Sequence, residues 1–423
     1  MFLCYNEDMN IALLGFGKEG QATKNYFKRH FPDATFTTFE NLAPKEFATA
    51  DYSTYDMIFR SPSIPPFDNP KLTSVTKYFF DHCPCRVIGV TATKGKGTIC
   101  SFIKSLLDAE GCDAYLVGNI GEPAINALDD LNESSIVIYE MSSFQLWDLD
   151  KSPHIAVIGH IEPDHLNIHK DFADYISAKS HIAKYQTPDD YCIYNYKDPE
   201  ASNIAELSAG HKLPYPFPVP EDILASITLP GQHNKDNAIA AIAAVAAYKN
   251  LSPDEYLSAS AETTKKGLAA FHGLPHRLEF IRKVGEVKFY DDNFATTASA
   301  LKVAIDAFPH EHIVVIAGGR DKTGGEDLDE IWQILQAPNI TKRVFIGESG
   351  RELIRRSNRE FPTDFYEETL EDAVNRAYGL ASSYTGSSQT PIVLMSPAAA
   401  SFDMFKDVYD RGNQFQALVK SLT

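Results

Sequence analysis

The chain alternates short, strongly apolar runs with longer stretches in which apolar residues recur at helical spacing. Residues 11–14, 87–90 and 136–139 are examples of the short runs. Short apolar runs bounded by loops predict strands, and the longer periodic stretches predict helices. Strands that alternate with helices in this way are typical of parallel sheets built from β–α–β units.

This pattern occurs in three successive segments, which start at Asn10, at Arg86 and after the Gly273–His276 stretch. With 423 residues and roughly 150 residues for an ordinary domain, three domains are expected. We predict an α/β protein with a Rossmann-like N-terminal domain (1–83), a central P-loop ATPase-like parallel-sheet domain (84–272) and a Rossmann-like C-terminal domain (273–423). The strands expected after the first segment lie at 86–91, 114–117, 136–139, 155–158 and 191–194, and then at 287–290, 312–316, 343–346 and 391–395.

A glycine-rich loop follows the strand at 86–91 and precedes a helical stretch. A loop in this place can point backbone N–H groups and a helix N-terminus at phosphate oxygens. Lys96 would reach the terminal phosphates as a point charge. The strict pattern G-x-x-x-x-G-K-[ST] is not met, because Gly89 is one place early and Gly97 follows the lysine, so a plain strand–helix turn stays open. The candidate nucleotide-binding residues of the loop are Ala92, Thr93, Lys94, Gly95, Lys96, Gly97 and Thr98.

Polar residues follow three neighbouring predicted strands. Asn119 comes after the strand at 114–117, Glu140 ends the strand at 136–139, and His165 follows the strand at 155–158. The carboxyl ends of parallel strands form the ligand crevice of an open sheet. We therefore expect these side chains at the same edge as Lys96, with Glu140 as a Mg²⁺ ligand and His165 as a second one.

A second glycine motif, Gly15-Phe-Gly17-Lys-Glu-Gly20, follows the first predicted strand and opens a helix. It matches the dinucleotide-binding fingerprint, with Glu40 twenty residues after Gly20 as the acid for a ribose. An NAD-dependent oxidoreductase is thus an alternative from another class. A dehydrogenase, however, has no need of a second phosphate loop with its lysine.

Composition excludes several classes of protein. The net charge of −18 argues against a nucleic-acid partner, which requires a basic face. No apolar stretch approaches the ~20 residues that span a bilayer, and the N-terminus does not have the pattern of a signal peptide. The six cysteines have no paired spacing, as expected of thiols in a reducing compartment. We expect a cytoplasmic monomer acting on small molecules, without membrane attachment.

Nearly the whole chain, from Gly15 to Phe415, resembles the Mur ligase family of peptidoglycan precursor synthesis. Two of its motifs, Ser-Ser-Phe-Gln-Leu and Ser-Pro-Ala-x-Ala-Ser, favour the branch that adds D-glutamate. The motifs that carry the resemblance are Arg60-Ser-Pro-Ser-Ile-Pro65, Gly118-Asn-Ile-Gly121, Glu140-Met-Ser-Ser-Phe-Gln-Leu146, Asp164-His-Leu166, Tyr175-Ile-Ser-Ala-Lys179, His233-Asn234-x-x-Asn237, Pro275-His-Arg-Leu-Glu279, Gly318-Gly-Arg-Asp-Lys322 and Ser396-Pro-Ala-Ala-Ala-Ser-Phe402.

The resemblance implies an ATP-dependent amide ligase. ATP would phosphorylate the carboxylate of UDP-N-acetylmuramoyl-L-alanine, and the amine of D-glutamate would attack the acyl phosphate. The implied catalytic residues are Lys96, Glu140, His165 and Lys179, the last as a carbamylated lysine that reaches toward Mg²⁺. Asn234 and Arg277 would contact the nucleotide. The implied substrate-binding residues are Gly15, Gly17, Gly20, Arg60 and Ser61 for the UDP end, Asn119 for the substrate or phosphate, and Thr296, Lys322 and Ser401 for D-glutamate.

Several positions depart from the family pattern. Gly97 replaces a serine or threonine, so the hydroxyl for Mg²⁺ is absent or comes from Thr98. Phe294 stands where a phosphate-facing lysine is expected, and Val408 where phenylalanine is common; Asn167 and Ile168 replace an aspartate and an arginine. Two alternatives therefore stay open within the family, namely another amino-acid substrate and a homologue that binds nucleotide but has weakened catalysis.

Overall fold

The structure, a computed structural model, describes residues 8–321, 324–325, 327–360 and 363–423. It contains three sheets that follow one another along the chain. The chain separates into two compact units. The first comprises the chain up to Ile227 together with Lys235–Phe271, and the second comprises Thr228–Asn234 together with His272–Thr423. The first two sheets share one unit, so the domain limits at 83/84 and 272/273 stay predictions.

The first sheet has four parallel strands in the order β2-β1-β3-β4. Helix α1 buries Tyr26 and Phe27 on one face, and α3 buries Val75, Tyr78 and Phe79, the i, i+3, i+4 spacing of an amphipathic helix. The elements are β1 (Asn10–Leu14), α1 (Lys18–His30), β2 (Thr35–Phe39), α2 (Pro44–Thr49), β3 (Met57–Arg60), β4 (Leu72–Ser74) and α3 (Val75–His82).

The second sheet has six parallel strands in the order β10-β9-β8-β5-β7-β6. Its central strands β5, β7 and β8 are almost wholly buried, which accounts for their continuous apolar sequence. The elements are β5 (Arg86–Thr91), α4 (Lys96–Ala109), β6 (Ala114–Gly118), α5 (Ala124–Ala127), β7 (Ile136–Glu140), α6 (Ser143–Leu146), β8 (Ile155–Ile158), α7 (Phe172–Lys184), β9 (Tyr191–Asn195), α8 (Pro199–Ala205), β10 (His211–Tyr215), α9 (Glu221–Leu224), α10 (Gln232–Tyr248) and α11 (Pro253–Ala270).

The third sheet has the order β11-β12-β16-β13-β14-β15, and its edge strand β11 runs antiparallel to β12. The other pairs are parallel. The elements are β11 (Glu279–Val284), β12 (Val287–Asp291), α12 (Ala298–Asp306), β13 (His312–Ala317), α13 (Leu328–Leu335), β14 (Ile340–Phe345), α14 (Gly347–Glu360), β15 (Phe365–Tyr366), α15 (Leu370–Ser382), β16 (Pro391–Met395) and α16 (Val408–Ser421).

One hydrophobic core serves the first two sheets together. The Phe79 ring of α3 packs on the Tyr139 ring of β7 at a centroid distance of 5.5 Å, and the Thr76 hydroxyl hydrogen-bonds the Tyr139 hydroxyl at 2.9 Å. The Gln145 amide of α6 donates to the Glu19 carboxylate of α1 at 2.9 Å. These contacts fix the first sheet against the second. Within the described ranges, no helix has the length and apolar character to cross a membrane.

Candidate active site

The glycine-rich loop lies between β5 and α4, as the sequence predicts. Gly95 precedes the helix with φ +88°, and a Cβ there would lie 2.9 Å from Asn237 Oδ1, so both conformation and space call for glycine. Lys96 Nζ donates to the carbonyl oxygens of Ala92 at 2.9 Å and Thr93 at 3.1 Å. The lysine thus folds over a loop that opens onto the N-terminus of a 14-residue helix, an arrangement suited to an anion.

The remaining loop residues have distinct surroundings. The Thr93 hydroxyl donates to the carbonyl oxygen of Glu162 at 3.0 Å and also contacts the Tyr175 hydroxyl at 2.9 Å. Lys94 is exposed, with Nζ 3.3 Å from the Glu162 carboxylate. Gly97 and Thr98 lie half-buried in the first turn of α4. Thr98 is therefore placed next to the loop, and its role as the replacement hydroxyl stays a prediction.

Glu140 ends β7 at the same edge of the sheet, beside the end of β6. Its side chain is buried, with 5% of the residue exposed. Within the described part of the chain, its side-chain hydrogen bond is with the Asn119 amide, which donates to Oε1 at 3.2 Å. A buried carboxylate with a neutral amide as its partner fits a divalent cation, which would supply the missing positive charge. Asn119 and Glu140 are thus brought together as predicted.

Lys179 of α7 is almost fully buried under the loop, with 1% of the residue exposed. Its Nζ donates to Thr91 Oγ1 at 3.1 Å and to the carbonyl oxygen of Ala92 at 2.9 Å, and lies 4.7 Å from the Tyr175 ring centroid. Burial lowers the pKa of this ammonium far below its ordinary value, and the charge of Lys96 lowers it further. A neutral amine is the form that carbamylation requires.

His165 lies in the loop after β8, in the left-handed region with φ +55°. Its backbone N–H donates to Asp164 Oδ1 at 2.9 Å, and its ring packs on Phe144 at 5.0 Å. The side chain is 48% exposed. Partial burial lowers the pKa of the imidazole despite the nearby Asp164 carboxylate, so the ring is available as a neutral ligand near pH 7.

Tyr175 belongs to one of the sequence motifs but had no role of its own assigned from it, and in the structure it contacts both the loop and the buried lysine. It lies one helical turn before Lys179 on α7, and this i, i+4 spacing places both side chains on one face. Burial raises the pKa of its hydroxyl, so it acts as a neutral hydrogen-bonding group on Thr93. The Tyr-x-x-x-Lys spacing was the available signal.

A cavity of about 310 Å³ opens beside the first glycine turn and is lined by Gly15, Glu40 and Ile64 among others. Gly15 has φ +78°, and a Cβ there would lie 2.6 Å from Ser61 Oγ, while the Ser61 hydroxyl donates to the Gly15 carbonyl at 3.2 Å. Gly20 packs against that same carbonyl, and Gly17 caps α1 in exposed backbone. Gly15 and Glu40 therefore face one cavity.

Arg60 has different surroundings from those expected of a substrate contact. Its side chain is fully buried and forms an ion pair with Asp148, to which Nε also donates at 2.9 Å. The remaining N–H groups point to the carbonyl oxygens of Pro62, Ile64 and Phe144. Every donor of the guanidinium is engaged within the protein, so the geometry favours a structural role for Arg60 over the predicted contact with substrate.

The second unit carries other predicted residues. The Asn234 amide is buried and donates to the carbonyl oxygen of Pro230 at 2.7 Å. Arg277 is exposed, with its guanidinium 5.2 Å from the Phe294 ring centroid. Thr296 is half-buried, and Ser401 is buried with no hydrogen-bond partner for its Oγ within the described ranges. Lys322 lies outside the described residues.

Two further side chains of the second unit, Asp292 and His276, were given no role by the sequence analysis. The Asp292 carboxyl accepts from the Leu278 backbone N–H at 3.1 Å and the Ser396 hydroxyl at 2.9 Å, and burial raises its pKa to about 7. His276 Nδ1 lies 2.7 Å from the buried Asp291 carboxylate. Both stabilise the turn that presents Arg277. Their partners are distant in sequence, so spacing along the chain gives no signal for them.

The parallel central sheet, the glycine-rich loop and the buried carboxylate at a strand end define an α/β protein of the nucleotide-binding class. Residues 90–217 match the family model of the Mur ligase middle domain, and residues 276–397 match that of the Mur ligase, glutamate ligase domain. A relative in Clostridium tetani named UDP-N-acetylmuramoylalanine–D-glutamate ligase is 28% identical, over 98% of this chain and 93% of the relative. A relative of the same name in Acetivibrio thermocellus is 30% identical, over 87% and 83%.

The chain therefore belongs to the Mur ligase family. Members of this family form C–N bonds in an ATP-dependent manner, so the prediction of an ATP-dependent ligase is confirmed. This membership removes the oxidoreductase alternative.

Solved structures agree on the fold. The UDP-N-acetylmuramate–alanine ligase of Thermotoga maritima has a TM-score of 0.57 at 17% identity, over 98% of this chain and 99% of that one. The MurF ligase of Thermotoga maritima in complex with ADP has a TM-score of 0.57 at 14% identity, over 87% and 90%. The predicted three-domain α/β fold is confirmed.

Proposed function

We propose that this ligase joins D-glutamate to UDP-N-acetylmuramoyl-L-alanine through an acyl phosphate, in the synthesis of peptidoglycan precursors. The names of the relatives support the two substrates. The observation that carries the mechanism is the buried Lys179, held by the loop that would cradle ATP and close to a buried carboxylate. The cytoplasmic location and the monomeric state stay predictions.

The loop and its lysine would position the phosphates of ATP for transfer. A carboxylate oxygen of the muramoyl-alanine attacks the γ-phosphorus, and ADP leaves with the bridging oxygen. Lys96 and the N-terminus of α4 would stabilise the negative charge that develops, an effect that fixed donors supply without reorganisation. Asn119, beside Glu140 at the strand ends, would hold the acyl group in place.

The second step forms the amide bond. The neutral amine of D-glutamate attacks the acyl carbon, inorganic phosphate leaves, and the amide nitrogen loses a proton. Ser401 Oγ, buried and without a partner in the described residues, is suited to bind a carboxylate of the incoming amino acid. Thr296 and Lys322 are proposed as further contacts of that amino acid.

Mg²⁺ is proposed as the metal, held by Glu140 and His165, with Thr98 and carbamylated Lys179 as further candidates. When bound, it would neutralise charge on the phosphates of ATP. Lys179 would acquire its carbamate by attack of the neutral amine on carbon dioxide with loss of one proton. The depressed pKa of this lysine supports that reaction.

The experiment is a screen of amino acids with ATP, Mg²⁺ and UDP-N-acetylmuramoyl-L-alanine, in which released phosphate is measured. We expect release with D-glutamate and none when any of the three substrates is omitted. Release with another amino acid only would replace D-glutamate and keep the reaction class. No release with any amino acid would refute the proposed reaction.

A second candidate, a nucleotide-binding homologue with weakened catalysis, is favoured by Gly97 and Phe294. Against it, Arg277 lies over the Phe294 ring, so a cation is present near the position where the lysine is missing. Because Arg277 is exposed, a cation–π contact of this kind contributes about 0.5–1 kcal/mol. ADP binding by calorimetry together with an inactive screen would support this candidate.

A further inference from the structure

Four ionisable side chains form a chain along one edge of the glycine-rich loop, and two of them, His160 and Asp198, have no role in the proposed reaction. Lys94 Nζ lies 3.3 Å from one oxygen of Glu162, and the other oxygen of Glu162 lies 3.5 Å from His160 Nε2. On its far side, His160 Nδ1 lies 2.6 Å from the Asp198 carboxylate. We call these four residues the loop-edge chain.

Asp198 is the fixed end of the loop-edge chain. Its side chain is only 4% exposed, and it caps α8 by accepting from the Ala201 backbone N–H at 2.9 Å. The same carboxylate also accepts from the Ile161 backbone N–H at 3.0 Å. Because these two bonds hold the carboxylate in place, it orients the imidazole of His160 so that Nε2 faces Glu162.

The backbone connects His160 directly to the loop. The Thr93 N–H donates to the His160 carbonyl oxygen at 2.7 Å, and the next residue, Lys94, forms a β-bridge with His160. A shift of His160 is therefore transmitted to the loop residues immediately before Gly95 and Lys96. The contact lies on the β8 side of the loop, whereas Glu140 lies on the β7 side.

The groups facing His160 determine its charge. The hydrogen bond to Asp198 raises the pKa of the imidazole above 6.5, and Glu162 raises it further, against partial burial. The Lys94 ammonium is paired with Glu162, and the Lys94 backbone forms the β-bridge with His160. The nearby Tyr215 hydroxyl stays neutral because burial raises its pKa. Below the pKa of His160 the loop-edge chain carries two positive and two negative charges; above it, the loop edge gains one net negative charge.

We propose that His160 is a positioning residue that makes the affinity of the glycine-rich loop for nucleotide phosphates depend on its protonation. In the charged form it holds Glu162 between itself and Lys94, which keeps the loop edge neutral and ordered for an anion. In the neutral form the extra negative charge opposes phosphate binding. The ligand class is a nucleoside polyphosphate, so the inference rests on the proposed use of ATP by this loop.

The test is a calorimetric titration of the full-length protein with Mg·ADP between pH 6.5 and 8.5. We expect the dissociation constant of the wild type to rise three- to tenfold across this range, since one unit of pKa change on binding corresponds to a tenfold change in affinity. His160→Asn is expected to bind weakly at every pH. His160→Lys, which keeps a positive charge, is expected to bind without this pH dependence and more tightly than His160→Asn.

Two controls separate this effect from general damage. His310→Asn changes an exposed histidine of the second unit and should retain the pH dependence of the wild type. Thermal melting of each variant checks that it is folded. An unchanged pH dependence in His160→Asn would overturn the inference, as would an absence of Mg·ADP binding by the wild type.

The assay uses neither the muramoyl substrate nor an amino acid. Failure of the ligase screen with a normal pH dependence of Mg·ADP binding would therefore refute the proposed reaction and leave the role of His160 intact. If the protein turns over D-glutamate but the pH dependence of Mg·ADP binding is the same in wild type and His160→Asn, the proposed reaction stands and the role of His160 is refuted.

Discussion

The ion pair between Arg60 and Asp148 offers a quantitative test of how the first two sheets are held together. The Arg60 side chain is 0% exposed and that of Asp148 is 18% exposed. Asp148→Ala leaves the guanidinium buried, with carbonyl oxygens as its remaining partners. Removing one partner of a buried pair costs about 3–5 kcal/mol. We expect about 3 kcal/mol, because those carbonyl bonds remain.

For a unit of this size, about 3 kcal/mol corresponds to a fall in melting temperature of roughly 6–12 °C. The assay is urea unfolding followed by tryptophan fluorescence. The chain has two tryptophans, and Trp147 lies in the first unit next to Asp148. A Trp332→Phe background removes the second, so that the signal reports the first unit alone.

A double-mutant cycle completes the test. Arg60→Met fills much of the same volume without a charge, and in the Arg60→Met/Asp148→Ala protein neither charge of the pair remains without the other. We expect the double variant to be more stable than the sum of the single changes predicts, by at least about 1 kcal/mol. Additive effects, or a loss below about 1 kcal/mol for Asp148→Ala, would refute the reasoning.

Three other predictions concern the active site and the second unit. Thr98→Val should raise the Mg²⁺ concentration needed for half-maximal activity, whereas Thr98→Ser should keep it near the wild-type value. If the Thr98→Val variant and the wild type need the same Mg²⁺ concentration, Thr98 does not contact the metal. Lys179→Ala should abolish activity, and the wild type should lose activity reversibly on removal of carbon dioxide and bicarbonate; full activity without them would argue against a carbamate. The pKa of Asp292 is raised to about 7, so its favourable protonated form is lost as pH rises through 7. Asp292→Asn should therefore have a higher melting temperature than wild type at pH 8, and the difference should become smaller below pH 7. A difference in melting temperature that grows toward low pH would contradict the expected effect of Asp292 ionisation.

Strands buried on both faces were predictable from sequence, whereas most of the edge strands were not. β5, β7 and β8 are continuous apolar runs, and the expected positions agree with the structure. The strand β10, with sequence His-Lys-Leu-Pro-Tyr, and the antiparallel β11 are largely exposed or half-buried edge strands. Such strands bury few side chains, so they do not show the apolar pattern on which the prediction depends.

The candidate site, too, was predictable from sequence only in part. Asn119 and Glu140 lie at the ends of parallel strands, and Lys96 follows another strand after a short loop, so topology alone brings them to one edge. The role of Arg60 could not be predicted, because its partner Asp148 lies 88 positions away and a buried arginine has no local signature. The ion pairs of the loop-edge chain were missed for the same reason, since Lys94 meets Glu162 and His160 meets Asp198 only in the folded protein.

The core shared by the first two sheets has a practical consequence for dissecting the protein. Phe79 and Tyr139 belong to one hydrophobic cluster although the expected domain limit at 83/84 separates them. A fragment that begins at residue 84 would expose the face of β7 and α5 that α1 and α3 cover. Such a fragment should self-associate when it is expressed alone, so the shortest tractable piece that contains the glycine-rich loop also contains the first sheet.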